Sequence, residues 1–198
     1  LKAVERADNQ VKALEFTGRR IDIPADEKVV LALPPAGTSG VVPEITVPEQ
    51  SCAIVNAHFR LETPCTLPGG AYLLGLVGST SQWLFLRRDV ASVTISAADE
   101  LASETAETIA GKIWPEVAGA LDLASGTPLP PFRIVKEKRA TFAQTPDSLS
   151  RRPPTRTRFA NLYLAGDWTD TGLPATIEGA ILSGHKAAAA ILEDIEKG

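Results

Sequence analysis

The sequence predicts a mixed α/β (α+β) fold, on the basis of three observations. An apolar run at 29–33 begins with β-branched residues and is stopped by two prolines, which favours a strand buried on both faces. Further strand-like segments lie between residues 53 and 96. Helical patterns occur at about 104–122 and 176–196, the second of them after a short apolar strand at 162–165.

The amino-terminal part of the chain is predicted to form a hairpin that leads into the strand at 29–33. Residues 11–16 alternate loosely between apolar and polar, residues 17–20 have turn composition, and an extended pattern resumes at 21–24. Residues 36–50 are rich in Pro, Gly, Ser and Thr, which predicts a linker or crossing between two domains.

The middle of the chain favours an antiparallel or mixed sheet with a helix. The strand-like segments lie at 53–60, 72–77, 82–86 and 90–96, and the last two resemble a hairpin. The helix carries an apolar stripe that consists of Ile109, Ile113, Val117 and Leu121. Pro115 lies inside this helix, and we expect it to kink or divide the helix. Residues 132–142 are predicted to be extended and residues 144–158 to form a loop.

Charge and cysteine content limit the classes of ligand and partner that the sequence predicts. The formal net charge is −4, from 20 Lys and Arg against 24 Asp and Glu, so we expect no nucleic-acid partner. Short basic runs at 87–88 and 151–152 are predicted to be solvated surface. Cys52 and Cys65 match neither a redox pair nor a zinc site, so we expect free thiols, no bound metal and a cytoplasmic location.

The stretch 161–180 has the most chemical content. An apolar strand ends at Gly166, where glycine lets a ligand approach closely, and Asp167 follows at the carboxyl end of that strand, where open α/β sheets bind ligands. Gly172 permits a chain reversal, and the helix from Thr176 offers free N–H groups to an electron-rich oxygen. By spacing alone, a purely structural strand–turn–helix explains this pattern equally well.

The same stretch resembles the carboxy-terminal FAD motif of the flavin amine oxidase and phytoene desaturase superfamily. The matching residues are Ala165-Gly166-Asp167, Thr171-Gly172, Glu178-Gly179-Ala180, Ser183-Gly184 and Ala187-Ala188. Residues 166–180, with 29–35, 54–60 and 135–142, most resemble the squalene-associated branch of that superfamily, the hydroxysqualene dehydroxylases of hopanoid biosynthesis.

The resemblance implies FAD as the cofactor and assigns the domains. Residues 1–35 and 148–198 would belong to a Rossmann-like FAD-binding domain, and residues 36–147 would form a substrate-binding mixed sheet with helices. Gly166 and Asp167 would lie against the ribityl and phosphate region of FAD. The other implied cofactor-binding residues are Trp168, Gly172, Leu173, Pro174, Ala175, Thr176 and Ile177, of which the last two present backbone N–H groups to the isoalloxazine edge.

Two absences indicate that the cofactor site is incomplete. The superfamily binds the ADP half of FAD through a G-x-G-x-x-G turn with an acidic residue about twenty positions later, and no segment here has that form. The chain also contains no methionine. We therefore interpret it as a piece of a longer protein, with the missing amino-terminal part as its partner, and we expect it to bind FAD weakly or not at all by itself.

The resemblance implies flavin hydride transfer on a long apolar isoprenoid, with hydroxysqualene converted to squalene. A phytoene desaturase-like or amine oxidase-like flavoenzyme is the first alternative, and a flavin-free lipid-binding or interaction module is the second. The apolar substrate also leads us to expect peripheral contact with a membrane.

No catalytic residue is assigned by these patterns. His58 is predicted to be structural and His185 to be solvated. Lys136 and Arg139 either approach the flavin or guard an edge strand by charge, and the sequence favours neither.

Overall fold

The structure is a computed structural model that describes residues 1–197, and it contains two compact units. The first consists of residues 1–50 together with the described residues from 142 onward, and the second is Ser51–Thr141. Residues 36–50 and 142–147, which the sequence placed in the middle domain, thus belong to the first unit. The assignment of flavin to one unit and substrate to the other stays a prediction.

The mixed α/β prediction is confirmed by ten strands and five α-helices within the described residues. In chain order the strands are β1 (Ala3–Ala7), β2 (Gln10–Phe16), β3 (Arg19–Asp22), β4 (Val29–Leu31), β5 (Ser51–Arg60), β6 (Leu73–Gly75), β7 (Trp83–Arg87), β8 (Val90–Ile95), β9 (Phe132–Phe142) and β10 (Leu162–Leu164). The helices are α1 (Pro35–Val41), α2 (Asp99–Ser103), α3 (Ala106–Ala120), α4 (Pro146–Ser150) and α5 (Ile177–Lys197). Among these residues, no helix is long and apolar enough to cross a membrane.

The first unit contains two small sheets. Strands β1, β2 and β3 form an antiparallel sheet in that order, which confirms the predicted hairpin. Strands β4 and β10 pair in parallel, with Val30 opposite Tyr163. Val29 and Leu31 are buried, but Val30 is 42% exposed, so the prediction that this strand is buried on both faces is wrong. Its outer face has no cover in the part of the chain that the structure describes.

Two short helices replace segments predicted to be irregular. Helix α1 lies inside the predicted linker, and it begins at Pro35 because proline is compatible with the first position of a helix. Helix α4 lies inside the predicted loop at 144–158, where Thr145 Oγ1 accepts a hydrogen bond from the Ser148 N–H at 3.3 Å and caps the helix. Composition rich in Pro and Ser misled both predictions because these residues also start helices.

The second unit is a five-stranded sheet with one helical layer. The strand order is β6-β7-β8-β5-β9, and the pairs β6–β7, β7–β8 and β8–β5 are antiparallel, as expected. Alternate residues of β5 are buried, and they include Val55, Ala57 and Phe59. This face of the sheet packs in one core with α3, where the Phe59 and Trp114 rings lie 5.2 Å apart.

Helix α3 is continuous through Pro115, so the prediction that proline divides it is wrong. The predicted apolar stripe is buried, with Ile109, Ile113 and Val117 each at 0% exposure. Pro115 lies on the opposite, exposed face, one turn after Gly111. Since Gly111 has no side chain and is also exposed, water can solvate the carbonyl that loses its N–H partner.

Candidate functional site

The candidate site is the connection between β10 and α5, and it begins at Gly166. This residue has φ +149°, and a Cβ placed there would lie 2.4 Å from Trp168 Nε1. Both the backbone conformation and the close ring therefore require glycine. The Gly166 N–H donates to Ser183 Oγ at 2.7 Å, which ties the end of the strand to the second turn of α5.

Trp168 anchors the connection in the core of the first unit. It is 1% exposed, and its indole N–H donates to the Leu33 carbonyl at 2.9 Å. Thr169 Oγ1 donates to the Gly166 carbonyl at 2.8 Å and closes a tight turn around the strand end. Trp168 thus fixes the backbone of the turn, and its buried ring has a structural role in this chain.

Arg152 organises the same turn from outside the motif. Its Nη2 donates to the carbonyls of Asp167 at 3.0 Å and Thr169 at 2.5 Å and to Thr171 Oγ1 at 3.0 Å, and Nη1 donates to the Leu173 carbonyl at 2.8 Å. The guanidinium carbon also lies 5.3 Å from the centre of the Phe142 ring. The prediction that the run 151–152 is solvated surface is therefore wrong for Arg152.

The neighbouring Arg151 lies at the solvated surface, as predicted. It forms ion pairs with Glu49 at 3.0 Å and Asp147 at 3.1 Å, and all three side chains are substantially exposed. Sequence reasoning missed Arg152 because its acceptors lie 15–21 residues further along the chain. No local pattern distinguishes the two arginines.

The end of the connection prepares the start of α5. Gly172 has φ +81°, and the chain reverses there before Leu173, Pro174 and Ala175. A Cβ at Gly179 would lie 2.7 Å from the Pro174 carbonyl oxygen, so glycine lets the turn contact the helix closely.

Thr176 caps the helix that follows this turn. Its Oγ1 accepts from the Gly179 N–H at 3.1 Å. The N–H groups of Ile177 and Glu178 have no acceptor within the first unit, and Ile177 is 82% exposed. The start of a 21-residue helix therefore presents two free donors at the positive end of its dipole.

Asp167 lies between the strand end and this helix. Burial raises the pKa of its carboxyl group, although the N–H groups of Asp167 and Trp168 and the Arg152 charge act in the opposite direction. The charged form of this half-buried carboxyl group is therefore destabilised in the folded chain.

All nine predicted cofactor-binding residues thus lie in one connection, whereas the other candidates lie elsewhere. In the second unit His58 Nδ1 is 2.9 Å from Ser92 Oγ, and the Lys136 ammonium group donates to the Glu104 carbonyl. Arg139 and His185 are exposed. Within the described residues no cluster of His, Cys, Asp or Glu has the arrangement of a metal site.

A comparison with protein families gives a match over nearly the whole chain. The model of the flavin containing amine oxidoreductase family matches residues 1–192. The chain belongs to this family.

Individual relatives agree with the family. The chain is 44% identical over 193 residues to a hydroxysqualene dehydroxylase of Rhodopseudomonas palustris. The aligned region covers 97% of this chain and 45% of that protein. It is 40% identical over 188 residues to the enzyme of the same name from Sinorhizobium fredii. That aligned region covers 95% of this chain and 44% of that protein. The chain therefore spans less than half the length of these curated relatives. The resemblance to the squalene-associated branch is confirmed.

Solved structures share the fold at low sequence identity. Cyclohexylamine oxidase from Brevibacterium oxydans superposes with a TM-score of 0.69 and 16% identity, over 98% of this chain and 48% of that one. An oxidoreductase from Methanosarcina mazei superposes with a TM-score of 0.67 and 14% identity, over 95% of this chain and 48% of that one.

Proposed function

We propose that this chain forms the flavin-edge and substrate-binding part of an FAD-dependent oxidoreductase that converts hydroxysqualene to squalene, a reaction of hopanoid biosynthesis. The observation that carries the proposal is the β10–α5 connection, because its nine residues combine a glycine strand end, a half-buried Asp167 and a free helix start. The names of relatives that are 38–44% identical over 95–97% of the chain support the substrate.

The residues of the connection fit the electron-rich edge of a flavin. The free N–H groups of Ile177 and Glu178 point to an anionic or carbonyl oxygen as their ligand. Gly166 leaves its side of the turn without a side chain, and Asp167 offers a carboxylate to the hydroxyl groups of a ribityl chain. Since Arg152 donates to four acceptors of the turn, it holds the backbone of the connection in place.

Reduced FAD would supply hydride-transfer chemistry, in which a C–H bond replaces the substrate C–O bond and the hydroxyl group leaves with a proton as water. The residues of this chain would bind and orient the groups around that transfer. The start of α5 stabilises negative charge on the cofactor through its dipole. Asp167 would hold the cofactor, and the hydrogen bond from the Gly166 N–H to Ser183 Oγ fixes the backbone beside it.

The second unit offers a surface suited to an apolar substrate. The face of the sheet opposite α3, here called the open face, has side chains from all five strands, including the exposed Arg133 and Val135 of β9. Leu73, Trp83 and Phe85 are 43–48% exposed on it. Exposed aromatic and aliphatic side chains grouped in this way mark a ligand or interaction surface. We infer that the isoprenoid chain lies across the open face.

The test uses the complete protein encoded by the gene. We expect the purified protein to retain FAD and, after reduction, to form squalene from hydroxysqualene, as measured by gas chromatography and mass spectrometry. Phytoene and an alkylamine serve as comparison substrates. Turnover of phytoene with hydroxysqualene untouched would assign a desaturase instead. Failure to retain flavin after reconstitution would favour the flavin-free lipid-binding module.

We also propose a cytoplasmic location with peripheral membrane contact, because a long isoprenoid is stored in the lipid phase. Flotation with phospholipid vesicles tests this proposal. The complete protein should rise with vesicles that contain hydroxysqualene, and recovery of all the protein in the lipid-free fraction would contradict it.

A further inference from the structure

Two rows of side chains cross the open face in the same order. Register places Trp83 opposite Thr94, and Thr94 opposite Asn56. Two residues further along, Phe85 lies opposite Ser92, and Ser92 opposite His58. Directly opposed residues of antiparallel strands point to the same face. Each row therefore runs from an aromatic ring at β7, through a hydroxyl at β8, to a polar side chain at β5.

The hydroxyl groups in these rows orient the polar side chains of β5. Thr94 Oγ1 donates to Asn56 Oδ1 at 2.7 Å, and Ser92 Oγ lies 2.9 Å from His58 Nδ1. One side of each polar group is thereby occupied. The Asn56 amide nitrogen and His58 Nε2 have no hydrogen-bond partner within the second unit.

The two rows themselves carry no charge, although charged side chains border them. In the rows every side chain is neutral or aromatic. The next row holds Arg87 and Arg60, with Arg60 paired to Asp89 at 2.5 Å, and the neighbouring strand β9 adds the exposed Arg133. Two unpaired polar atoms beside two aromatic rings fit a ligand that is apolar along most of its length and polar at one point.

The hydrogen-bonding chemistry of the two free atoms indicates which polar group of a ligand they can bind. When the His58 Nδ1–H donates to Ser92, Nε2 is an acceptor, and the Asn56 amide is a donor. Asn56 and His58 are two residues apart on one strand, about 7 Å between their Cα atoms. A hydroxyl group both accepts and donates, so it is complementary to a donor and an acceptor that lie side by side.

We propose that Asn56 and His58 recognise the hydroxyl group of the substrate and so give the enzyme its preference for a hydroxylated over a plain isoprenoid. Trp83 and Phe85 contact the apolar body, and Thr94 and Ser92 are positioning residues. This inference rests on the proposed function for the identity of the substrate, but its physical content concerns binding and needs no flavin.

Photoaffinity labelling of the complete protein tests the location. A diazirine-bearing farnesol is the probe, and farnesol and farnesene compete with it, since farnesene lacks the hydroxyl. We expect labelled peptides to contain residues from 54–60 and 83–87, with and without FAD. Labelling confined to other peptides would overturn the inference. The inference would also fail if the remainder of the protein, or a second copy of it, covers the open face and prevents the probe from reaching it.

Substitutions test the recognition. Asn56→Leu and His58→Leu should each lower the preference for farnesol over farnesene by about two- to ten-fold, the effect of one hydrogen bond. The affinity for farnesene should stay unchanged. His58→Gln keeps a donor and an acceptor and should retain part of the preference. An unaltered preference in both Leu variants would refute the role of the pair.

The results separate the two proposals. If the protein neither retains FAD nor forms squalene, yet the Leu variants lose the preference, the inference stands and the proposed function fails. If squalene is formed and the Leu variants keep the preference, the inference alone fails.

Discussion

Replacing Arg152 by alanine should loosen the β10–α5 connection while leaving the rest of the protein intact. The guanidinium donates to three carbonyls, those of Asp167, Thr169 and Leu173, and to one hydroxyl. Alanine removes all four bonds and provides no substitute donor. The Thr169 carbonyl keeps a second donor, the Thr171 N–H at 2.8 Å, and the Leu173 carbonyl keeps a long contact with Thr171 Oγ1 at 3.5 Å, whereas the Asp167 carbonyl has Arg152 as its donor.

The size of the effect follows from these contacts. A buried acceptor left without its donor costs about 1–3 kcal/mol. Thr169 is buried, whereas Asp167 and Leu173 are half-buried, so water can partly replace the lost donors. Together with the ring contact to Phe142, we expect a loss of about 3–5 kcal/mol of local stability. Each 1.4 kcal/mol is about a tenfold change in an equilibrium constant, so local opening should increase at least about 100-fold.

Amide hydrogen exchange with peptide mass spectrometry measures local opening directly. Peptides that cover 162–176 should exchange at least about 100-fold faster in Arg152→Ala, while peptides from the second unit should not change. Arg151→Ala is the matched control. Its surface ion pairs should contribute less than about 1 kcal/mol, so exchange in the same peptides should change less than about five-fold.

Two results would refute this reasoning. Equal effects of the two substitutions would mean that the contacts of Arg152 carry no particular stability. A uniform rise of exchange in both units would mean that the substitution acts on the whole chain and not on the connection. Arg152→Lys adds a further test, because lysine keeps the charge but lacks the planar fork, and it should recover only part of the protection.

Three further predictions concern the same connection. Gly166→Ala should lower the free energy of unfolding by about 2–4 kcal/mol through the Trp168 clash, whereas Gly184→Ala, on an open helix face, should raise it by up to about 1 kcal/mol; urea titration compares them. Ser183→Ala should cost about 1–2 kcal/mol in the same assay, because the Gly166 N–H loses its acceptor, and an unchanged midpoint would contradict this. Since the folded-state pKa of Asp167 is raised above its usual 3.8, its contribution to stability is present at low pH and lost as the pH rises through that raised pKa. Asp167→Asn should therefore be more stable than the parent at pH 7 and equal to it at pH 3, and equal urea midpoints at both pH values would contradict the shift.

Local patterns predicted much of the fold correctly. The hairpin of β2 and β3, the buried stripe of α3 and the long helix α5 each follow from periodicity and turn composition within a single segment. The nine predicted cofactor-binding residues lie together because the connection from Gly166 to Ile177 is contiguous in sequence, and their binding of FAD stays a prediction. Helices α1 and α4 were missed, since Pro and Ser occur both in loops and at helix starts.

The sequence by itself determined the family, the order of elements and the contiguous strand–turn–helix of the site, because these depend on neighbours along the chain. Only the tertiary structure distinguished Arg152 from Arg151 and showed that Val30 lies at the surface. It alone also aligned Trp83 and Thr94 with Asn56 across three strands. The physical reason is that hydrogen bonds and burial depend on distance in space, and residues 15–40 positions apart meet only when strand register and turns are formed.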